Sequence, residues 1–260
     1  VTIDRNCFEN SKMTNLAGKV VLITGAAGGI GSAISLAYAA VGIKVIVGYN
    51  SNFEKAQKLC ESLPGDGHVT KHVPVLDSAA LSSLADEIKQ DMGRLDILVN
   101  NAGVTKVVPH QDLDGLQDED IDRILATNFR GSFACVRACQ DLLAKSGEGL
   151  VVNISSIAGT TAVGSSVAYC ASKAAINSMT MSLGRALAPN IRVVAVAPGW
   201  VVGEYASRVD PAYMQEQIDK TPLGRIANAS DVANTVVALS TTVTFNTGCI
   251  IPVDGGRPLT

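Results

Sequence analysis

From Leu16 onward, short runs of apolar and β-branched residues alternate with longer stretches whose apolar positions recur every three or four residues. KVVLITG (19–25) reads as a strand that ends in glycine. GGIGSAISLAYAAVG, directly behind it, reads as a helix with Gly42 as its stop. The alternation then repeats. KVIVGY (44–49) is followed by a polar helix over 53–62, and HVTKHVPV (68–75) by a helix over 78–91. LDILVN (95–100) leads through a polar loop to a long helix over 118–145, and GLVVNIS (149–155) precedes a helix over 166–188. IRVVAVA (191–197) opens onto a polar, lid-like stretch, 203–228, after which a helix near 230–240 and CIIPV (249–253) complete the pattern.

Strands that are apolar on both faces and alternate with helices predict a parallel sheet covered on both sides. The expected fold class is therefore α/β, a single-domain, Rossmann-like, doubly wound parallel sheet with helices on both faces. No linker-like shift in composition divides residues 16–260, so one domain is expected there, behind a polar N-terminal extension over 1–15. Pro74 falls inside the predicted third strand, where a central ladder would reject it. In a sheet ordered 3-2-1-4-5-6 that strand lies at an edge, where proline is tolerated.

Composition narrows the partners. Of 260 residues, 47% are apolar, enough for a sizeable core. No uninterrupted apolar run reaches the roughly 18 residues that predict a membrane span. The opening VTIDRNCFENSKM lacks the apolar segment of a secretory signal. A formal net charge of −3 argues against a nucleic-acid-binding surface and leaves a small molecule as the expected partner. The six cysteines form no C-x-x-C pair and no zinc spacing with the three histidines, so no metal site is expected. Cys135 and Cys139, at helical spacing, read as buried free thiols. Free thiols suit a reducing, cytoplasmic setting.

Candidate chemistry begins where the first strand ends. In TGAAGGIG (24–31), Gly25, Gly29 and Gly31 permit a tight strand-to-helix turn, and the helix behind it offers unpaired N–H groups and a partial positive charge to a pyrophosphate. AYCASK (168–173) places Tyr169 and Lys173 four residues apart, on one face of a helix. Two side chains snorkelling from a helix surface would look the same in sequence. A phenol, with an ordinary pKa of about 10, is a suitable proton donor to a developing alkoxide. The nearby ammonium is expected to lower that value, so that the same group also serves as a base in reverse.

TGAAGGIG, NNAG (100–103), NISS (153–156), YCASK (169–173) and PG (198–199) occur in one order with strand-end spacing. Together they resemble the short-chain dehydrogenase/reductase family, from about Leu16 to the C-terminal VDGG. The overall likeness is to 3-oxoacyl-thioester reductases and related secondary-alcohol dehydrogenases. The resemblance implies a dinucleotide-binding catalytic domain over 16–260 and an NAD(P)-dependent oxidoreductase acting on CH–OH groups, with Asn128, Ser156, Tyr169 and Lys173 as its catalytic set. Ser156 precedes Tyr169 by thirteen positions, an offset that matches the family's catalytic serine and so implies Ser156 over Ser155, and its hydroxyl can donate to the substrate oxygen. Lys173 is expected to hold the nicotinamide ribose hydroxyls, and Asn128, in ATNFRG, a water that links Lys173 to solvent.

Cofactor contacts are implied at Gly25, Gly29, Ile30 and Gly31 in the first turn, and at Asn101, Ala102 and Gly103 after the fourth strand. Others are implied at Pro198, Gly199 and Val201 after the sixth, and at Tyr169 and Lys173 themselves. Asp77 matches an acidic residue that accepts from the adenine amine, and a helix N-cap is an equally open role for it. Gly203 stands near the place where family members often carry a threonine against the carboxamide. Trp200, the only tryptophan, reads equally as core packing or as a pocket wall.

The second strand ends in Tyr49, followed by Asn50 and Ser51, with no carboxylate for a ribose 2′-hydroxyl. NADP is therefore the expected cofactor, with Lys55 as a helper, and NAD is the alternative. The substrate pocket is expected between Ser156, Val163, Gly164, Trp200 and the 203–228 stretch. Arg130, Arg137 and Arg208 are candidates for meeting an acyl carrier. The expected activity is hydride transfer between NADP(H) and a carbonyl or secondary alcohol, such as a 3-oxoacyl thioester. Rival readings are an NAD-dependent sugar, sterol or polyol dehydrogenase, and a non-catalytic nucleotide-sensing protein on the same fold. The long helices over 118–145 and 166–188, apolar on more than one face, predict a paired-helix homo-oligomer, a tetramer or a dimer.

Overall fold

In the computed structural model, which describes residues 16–203 and 210–259, the β-branched runs form seven parallel strands. These are β1 (Val20–Ile23), β2 (Lys44–Tyr49), β3 (Val69–His72), β4 (Ile97–Asn100), β5 (Gly149–Ile154), β6 (Ile191–Pro198) and β9 (Ile250–Val253). Their order across the sheet is β3-β2-β1-β4-β5-β6-β9. The expected order holds, and CIIPV adds a seventh strand at the far edge. A two-residue ladder, β7 (Val201–Val202) with β8 (Ala227–Asn228), stands apart.

Alternation along β1 builds the two layers. Val21 and Ile23 face α1 (Gly29–Ala40) and α9 (Ala229–Thr241), packing with Ile34, Tyr38, Val232 and Val236. Val20 and Leu22 face the other side, against Leu84 and Ile88 of α3 (Ser78–Met92) and Cys135, Val136 and Leu143 of α5 (Ser132–Lys145). Both sheet faces are thus closed by apolar helix stripes, the requirement for an all-parallel sheet. The helices stop where expected. Gly42 has φ of 81°, and Gly93, which ends α3, has φ of 73°, a left-handed conformation that glycine adopts without penalty.

Three expectations are corrected. Strand β3 ends at His72, so Pro74 lies beyond the ladder, where its carbonyl accepts from the Asp77 amide in the turn into α3. The strand is at the edge, but proline is not the reason. The predicted helix over 118–145 is interrupted: α4 (Asp118–Leu125) gives way to a π-helical turn (Ala126–Gly131) before α5. Within that turn the Ser132 hydroxyl donates to the Asn128 carbonyl at 2.7 Å. Gly131 sits where a Cβ would lie 2.9 Å from Val75 Cγ2, so the backbone itself packs against the chain after β3. The lid-like stretch contains an ordered helix, α8 (Pro211–Asp219), with Asp210 capping its first amides and Pro211 at its first turn. The extension over 1–15, and Arg208, lie outside the described residues.

The remaining helices are α2 (Phe53–Ser62), the single turn α6 (Ala158–Thr161) and α7 (Val167–Ala186). Cys135 and Cys139 are buried in the core, where burial pushes both thiols up. The five described cysteines carry free thiols, and no His/Cys/Asp/Glu cluster suited to a metal occurs among the described residues. No described helix is long and apolar enough to cross a membrane.

Gly48 in β2 tests how tightly the sheet is set around the first turn. A Cβ there would lie 2.5 Å from the Ile23 carbonyl oxygen and 2.9 Å from Val73 Cγ2. Gly48→Ala is expected to lower the unfolding free energy by about 1–3 kcal/mol, the usual cost of overpacking, measured by chemical denaturation.

Candidate active site

Because every strand of the sheet is parallel, the C-terminal ends of β1, β2, β4, β5 and β6 share one edge, and the predicted site residues gather there. The glycine turn comes first. Gly25 has φ of +61°, and a Cβ on it would lie 3.0 Å from Ala102 Cα. Gly31 is tighter still: its Cβ would meet the Gly25 carbonyl oxygen at 2.6 Å and Asn101 Nδ2 at 2.7 Å. Asn101 therefore holds the turn directly, donating to the carbonyls of Thr24 (3.0 Å) and Gly25 (2.9 Å). Thr24 replies through its buried hydroxyl, which accepts from the amides of Asn101 and Ala102. Helix α1 opens from this turn at Gly28 with no side-chain cap, leaving first-turn amides to an incoming anion. The turn thus fits a dinucleotide pyrophosphate by backbone approach alone.

At the end of β2, Tyr49 packs edge-on to Phe53 at 5.4 Å and against His72 at 5.6 Å, between centroids. Asn50 and Ser51 are exposed beside it. Asp77 acts as the N-cap of α3, accepting from the amides of Ala79 and Ala80, each at 3.0 Å. On the other side, Pro198 closes β6, Gly199 donates to the Val253 carbonyl, and Val201 pairs with Ala227 in the small ladder.

Between these ends stand the four candidate catalytic residues. Ser166 caps α7 by accepting from the Tyr169 amide, so Tyr169 and Lys173 occupy the first two turns. They face the same way: the Lys173 ammonium lies 5.6 Å from the Tyr169 ring centroid. Lys173 is 6% exposed, and its Nζ donates to the Ile154 carbonyl at the end of β5, at 2.8 Å. Burial lowers its pKa from 10.5 to about 8, so the ammonium persists at neutral pH. Ser156, two residues beyond Ile154, accepts from the Ala158 amide at 3.2 Å and interacts through its hydroxyl with the Tyr169 phenol. Ser155 points away into the core, donating to Asn177 Oδ1 at 2.7 Å. Ser156, and not Ser155, is the hydroxyl that meets the Tyr169 phenol.

One detail differs from expectation. Burial raises the Tyr169 pKa above its ordinary value, and the hydrogen-bonding interaction with Ser156 offsets this only in part. The expected lowering by Lys173 is absent, because Nζ lies over the ring and is bonded to the Ile154 carbonyl. The phenol is accordingly protonated at neutral pH, the state of a proton donor. Asn128 is fully buried in the π turn, and its amide is occupied by protein. Oδ1 accepts from the Val104 amide at 2.8 Å, while Nδ2 donates to the Val104 carbonyl and to the Ser172 hydroxyl, each at 3.0 Å. Its side chain is thus a brace between the loop after β4 and α7.

The walls are apolar. Val107 (80% exposed) and Val163 (72%) project from two loops that are tied together by the Val108 amide to the Ser165 carbonyl and by His110 to the Gly164 carbonyl. Trp200 packs edge-on to Tyr213 of α8 at 5.6 Å, making it an anchor for the lid segment. A cavity of about 530 Å³ lies between β7 and α8, lined by Val202, Met214, Ile218 and Ile226, and its lining includes none of Ser156, Tyr169 or Lys173. Arg130 donates to the Leu76 carbonyl and Arg137 to the Ser78 hydroxyl, both on the α3 side. Three contributors escaped the sequence reading: Thr24, Ser172 and Gly159. At Gly159 a Cβ would lie 2.6 Å from the Lys173 carbonyl carbon, so α6 rests directly on the backbone of α7.

Comparison with known proteins agrees with this geometry. Residues 19–213 match the family described as short chain dehydrogenase. The chain is 36% identical to a 3-oxoacyl-[acyl-carrier-protein] reductase of Thermotoga maritima over 247 residues, covering 93% of this chain and 98% of that one. It is also 36% identical to a D-threitol dehydrogenase of Mycolicibacterium smegmatis over 246 residues, 93% of each. Among solved structures, a short-chain dehydrogenase/reductase of the glucose/ribitol dehydrogenase type from Brucella melitensis superposes with a TM-score of 0.87 at 27% identity, covering 95% of this chain and 98% of that one.

The buried ammonium makes a stability prediction. Between about pH 8 and the ordinary value of 10.5, the unfolded chain binds the Lys173 proton more tightly than the folded protein does. Stability from this group therefore rises with pH across that window, by about 3 kcal/mol in all, and the penalty is complete below it. Urea melts near neutral pH and near pH 10 should reveal this rise in the native protein and its loss in Lys173→Met.

Proposed function

The chain belongs to the short-chain dehydrogenase family, and on that premise we propose that it is an NADPH-dependent ketone reductase. The proposed substrates are 3-oxoacyl thioesters or similar ketones. Membership makes it an oxidoreductase acting on CH–OH groups and their carbonyl counterparts. The observation that carries the finer reading is the convergence of Ser156, a protonated Tyr169 and the Lys173 ammonium on the strand edge beside Gly103. A Cβ on Gly103 would lie only 3.9 Å from Lys173 Nζ, so the ammonium borders the cofactor floor.

When bound, the dihydronicotinamide supplies the hydride. The chain's own residues do the rest. The uncapped start of α1 and the glycine turn bind the pyrophosphate, and Gly25 and Gly31 keep that approach open. The Ser156 hydroxyl donates to the substrate oxygen and stabilises the charge that develops there. The Tyr169 phenol donates the proton, and its raised pKa keeps that proton in place until the oxygen becomes basic. Lys173 supplies a fixed positive charge beside the Tyr169 ring and would hold the ribose hydroxyls of a bound cofactor.

The cofactor assignment rests on the end of β2. Tyr49, Asn50 and Ser51 place no carboxylate against a 2′-phosphate. The relatives named as 3-oxoacyl-[acyl-carrier-protein] reductases favour a ketone on an acyl chain, and the exposed Val107 and Val163 suit an apolar one. The D-threitol dehydrogenase relative keeps polyol oxidation as the second reading. A non-catalytic sensor would have no use for both Tyr169 and Lys173 in this arrangement. The exposed apolar side chains Phe129, Phe133, Val167 and Met181 on the π turn, α5 and α7 support a paired-helix homo-oligomer. The free thiols support a reducing compartment such as the cytoplasm.

The test is NADPH and NADH consumption against a panel of 3-oxoacyl thioesters, simple ketones and, in reverse, polyols. The proposal expects kcat/KM with NADPH to exceed that with NADH by about tenfold or more, with thioesters ahead of polyols. Tyr169→Phe should lower kcat by about 10²–10⁴-fold. A preference for NADH with polyols would establish the second reading, and a fully active Tyr169→Phe would retire the proton-donor assignment.

A further inference from the structure

Ser172 stands between the two residues that mark the family motif, and its side chain is completely buried, with 0% of its surface exposed. We propose that Ser172 is a positioning residue for the reaction, fixing the Asn128 amide between the loop after β4 and the helical turn that carries Tyr169. The inference rests on the ketone-reductase reading of the site.

The hydrogen-bond directions leave little freedom. The Ser172 hydroxyl donates its only proton to the Tyr169 carbonyl, one turn back, at 2.7 Å. Its oxygen therefore offers only lone pairs to Asn128, and it accepts from Nδ2 at 3.0 Å. The other Nδ2 proton goes to the Val104 carbonyl, and Oδ1 accepts from the Val104 amide. Both amide protons of Asn128 are thus used, one on each segment. Without Ser172, the Asn128 side chain is attached to the Val104 loop alone, and the ties left between that loop and the segment before α7 lie farther from Tyr169, from Thr105 and Val108 to Ser165 and from His110 to Gly164.

Val104 directly follows Gly103, the residue that borders Lys173. A Cβ on Gly103 would lie 3.3 Å from Asn128 Oδ1 and 3.9 Å from Lys173 Nζ. The Asn128 carbonyl oxygen and the ammonium therefore face the same spot. A chain of single bonds runs from the Tyr169 backbone through Ser172 and Asn128 to the loop that forms the cofactor floor. It sets the distance between the proton donor and that floor. Neither end tolerates drift, because catalysis by a placed acid falls steeply with misplacement. The site at which this brace crosses the fold is the π turn, the one departure from regular helix in the α4–α5 segment.

The experiment compares native protein, Ser172→Ala, Asn128→Ala and the double variant. Two readouts are used: steady-state reduction of a 3-oxoacyl thioester by NADPH, and amide hydrogen exchange of the ligand-free proteins. In Ser172→Ala the Val104 amide should exchange about tenfold faster while the α7 interior stays protected. The kcat value should fall about tenfold with KM for the carbonyl within about twofold. In the Asn128→Ala background, Ser172→Ala should add less than about a twofold further loss, since its effect runs through Asn128. Unchanged Val104 exchange, unchanged kcat, or an equal loss in both backgrounds would each overturn the proposal. If the native protein reduces no carbonyl with either cofactor, the functional reading fails, and the exchange readout still decides whether Ser172 holds the brace.

Discussion

The site depends on one buried hydrogen bond, from the Lys173 ammonium to the Ile154 carbonyl. It joins the last residue of β5 to the second turn of α7 and gives a nearly enclosed positive charge a backbone acceptor. A charge buried this way is unfavourable by itself, which is why the lysine's affinity for its proton falls. The backbone packs closely around it. Gly159 lets α6 lie against the backbone of Lys173 itself, and Gly103 leaves open the space next to Nζ. The same burial acts in the opposite sense on Tyr169, keeping its phenol protonated. One enclosure thus keeps the acid protonated, and the cation beside it persists at neutral pH in spite of that burial.

The sheet supplies the frame on which this rests. Parallel pairing brings five strand ends to one edge, and side-chain amides then fasten the ends to one another. Asn100 donates to Asn153 across β4 and β5, and Asn153 to Thr180 on α7, both at 2.9 Å. Asn101 holds the glycine turn, and Asn128 holds the loop that follows. Asn100, Asn101, Asn128 and Asn153 therefore act as cross-braces between segments. This accounts for polar residues in an otherwise apolar interior: Asn101 and Asn128 satisfy backbone groups of the loops after β1 and β4, while Asn100 and Asn153 bond to each other, to the Ser132 carbonyl and to the Thr180 hydroxyl.

Much of this was legible in the sequence because its causes are local. Both-face apolar runs mark the strands of a covered parallel sheet, and Gly42 marks a helix end that needs positive φ. The glycine turn, Ser156, Tyr169 and Lys173 could be placed because strand ends and helical spacing fix their directions. The misreadings have tertiary causes. Pro74 lies two residues past the end of β3, and nothing in HVTKHVPV shows where pairing stops. The π turn depends on Asn128 bonding across to Val104 and Ser172, partners distant in sequence. Gly159 and Thr24 matter through contacts with Lys173 and Asn101, which no spacing rule brings together. The phenol's shift was misjudged because spacing reports that an ammonium is near, and only the enclosure shows that desolvation outweighs it.

The most direct test of the central claim is the titration of Lys173 itself. Protein labelled with carbon-13 lysine would be followed by NMR, through the Cε resonances as pH rises, with Lys173→Met identifying the signal. A single lysine titrating near pH 8, and missing from the variant, is the result this account predicts. If every lysine instead titrates at or above the ordinary value of about 10.4, the ammonium is not enclosed as described, and the account of the site built on it is wrong.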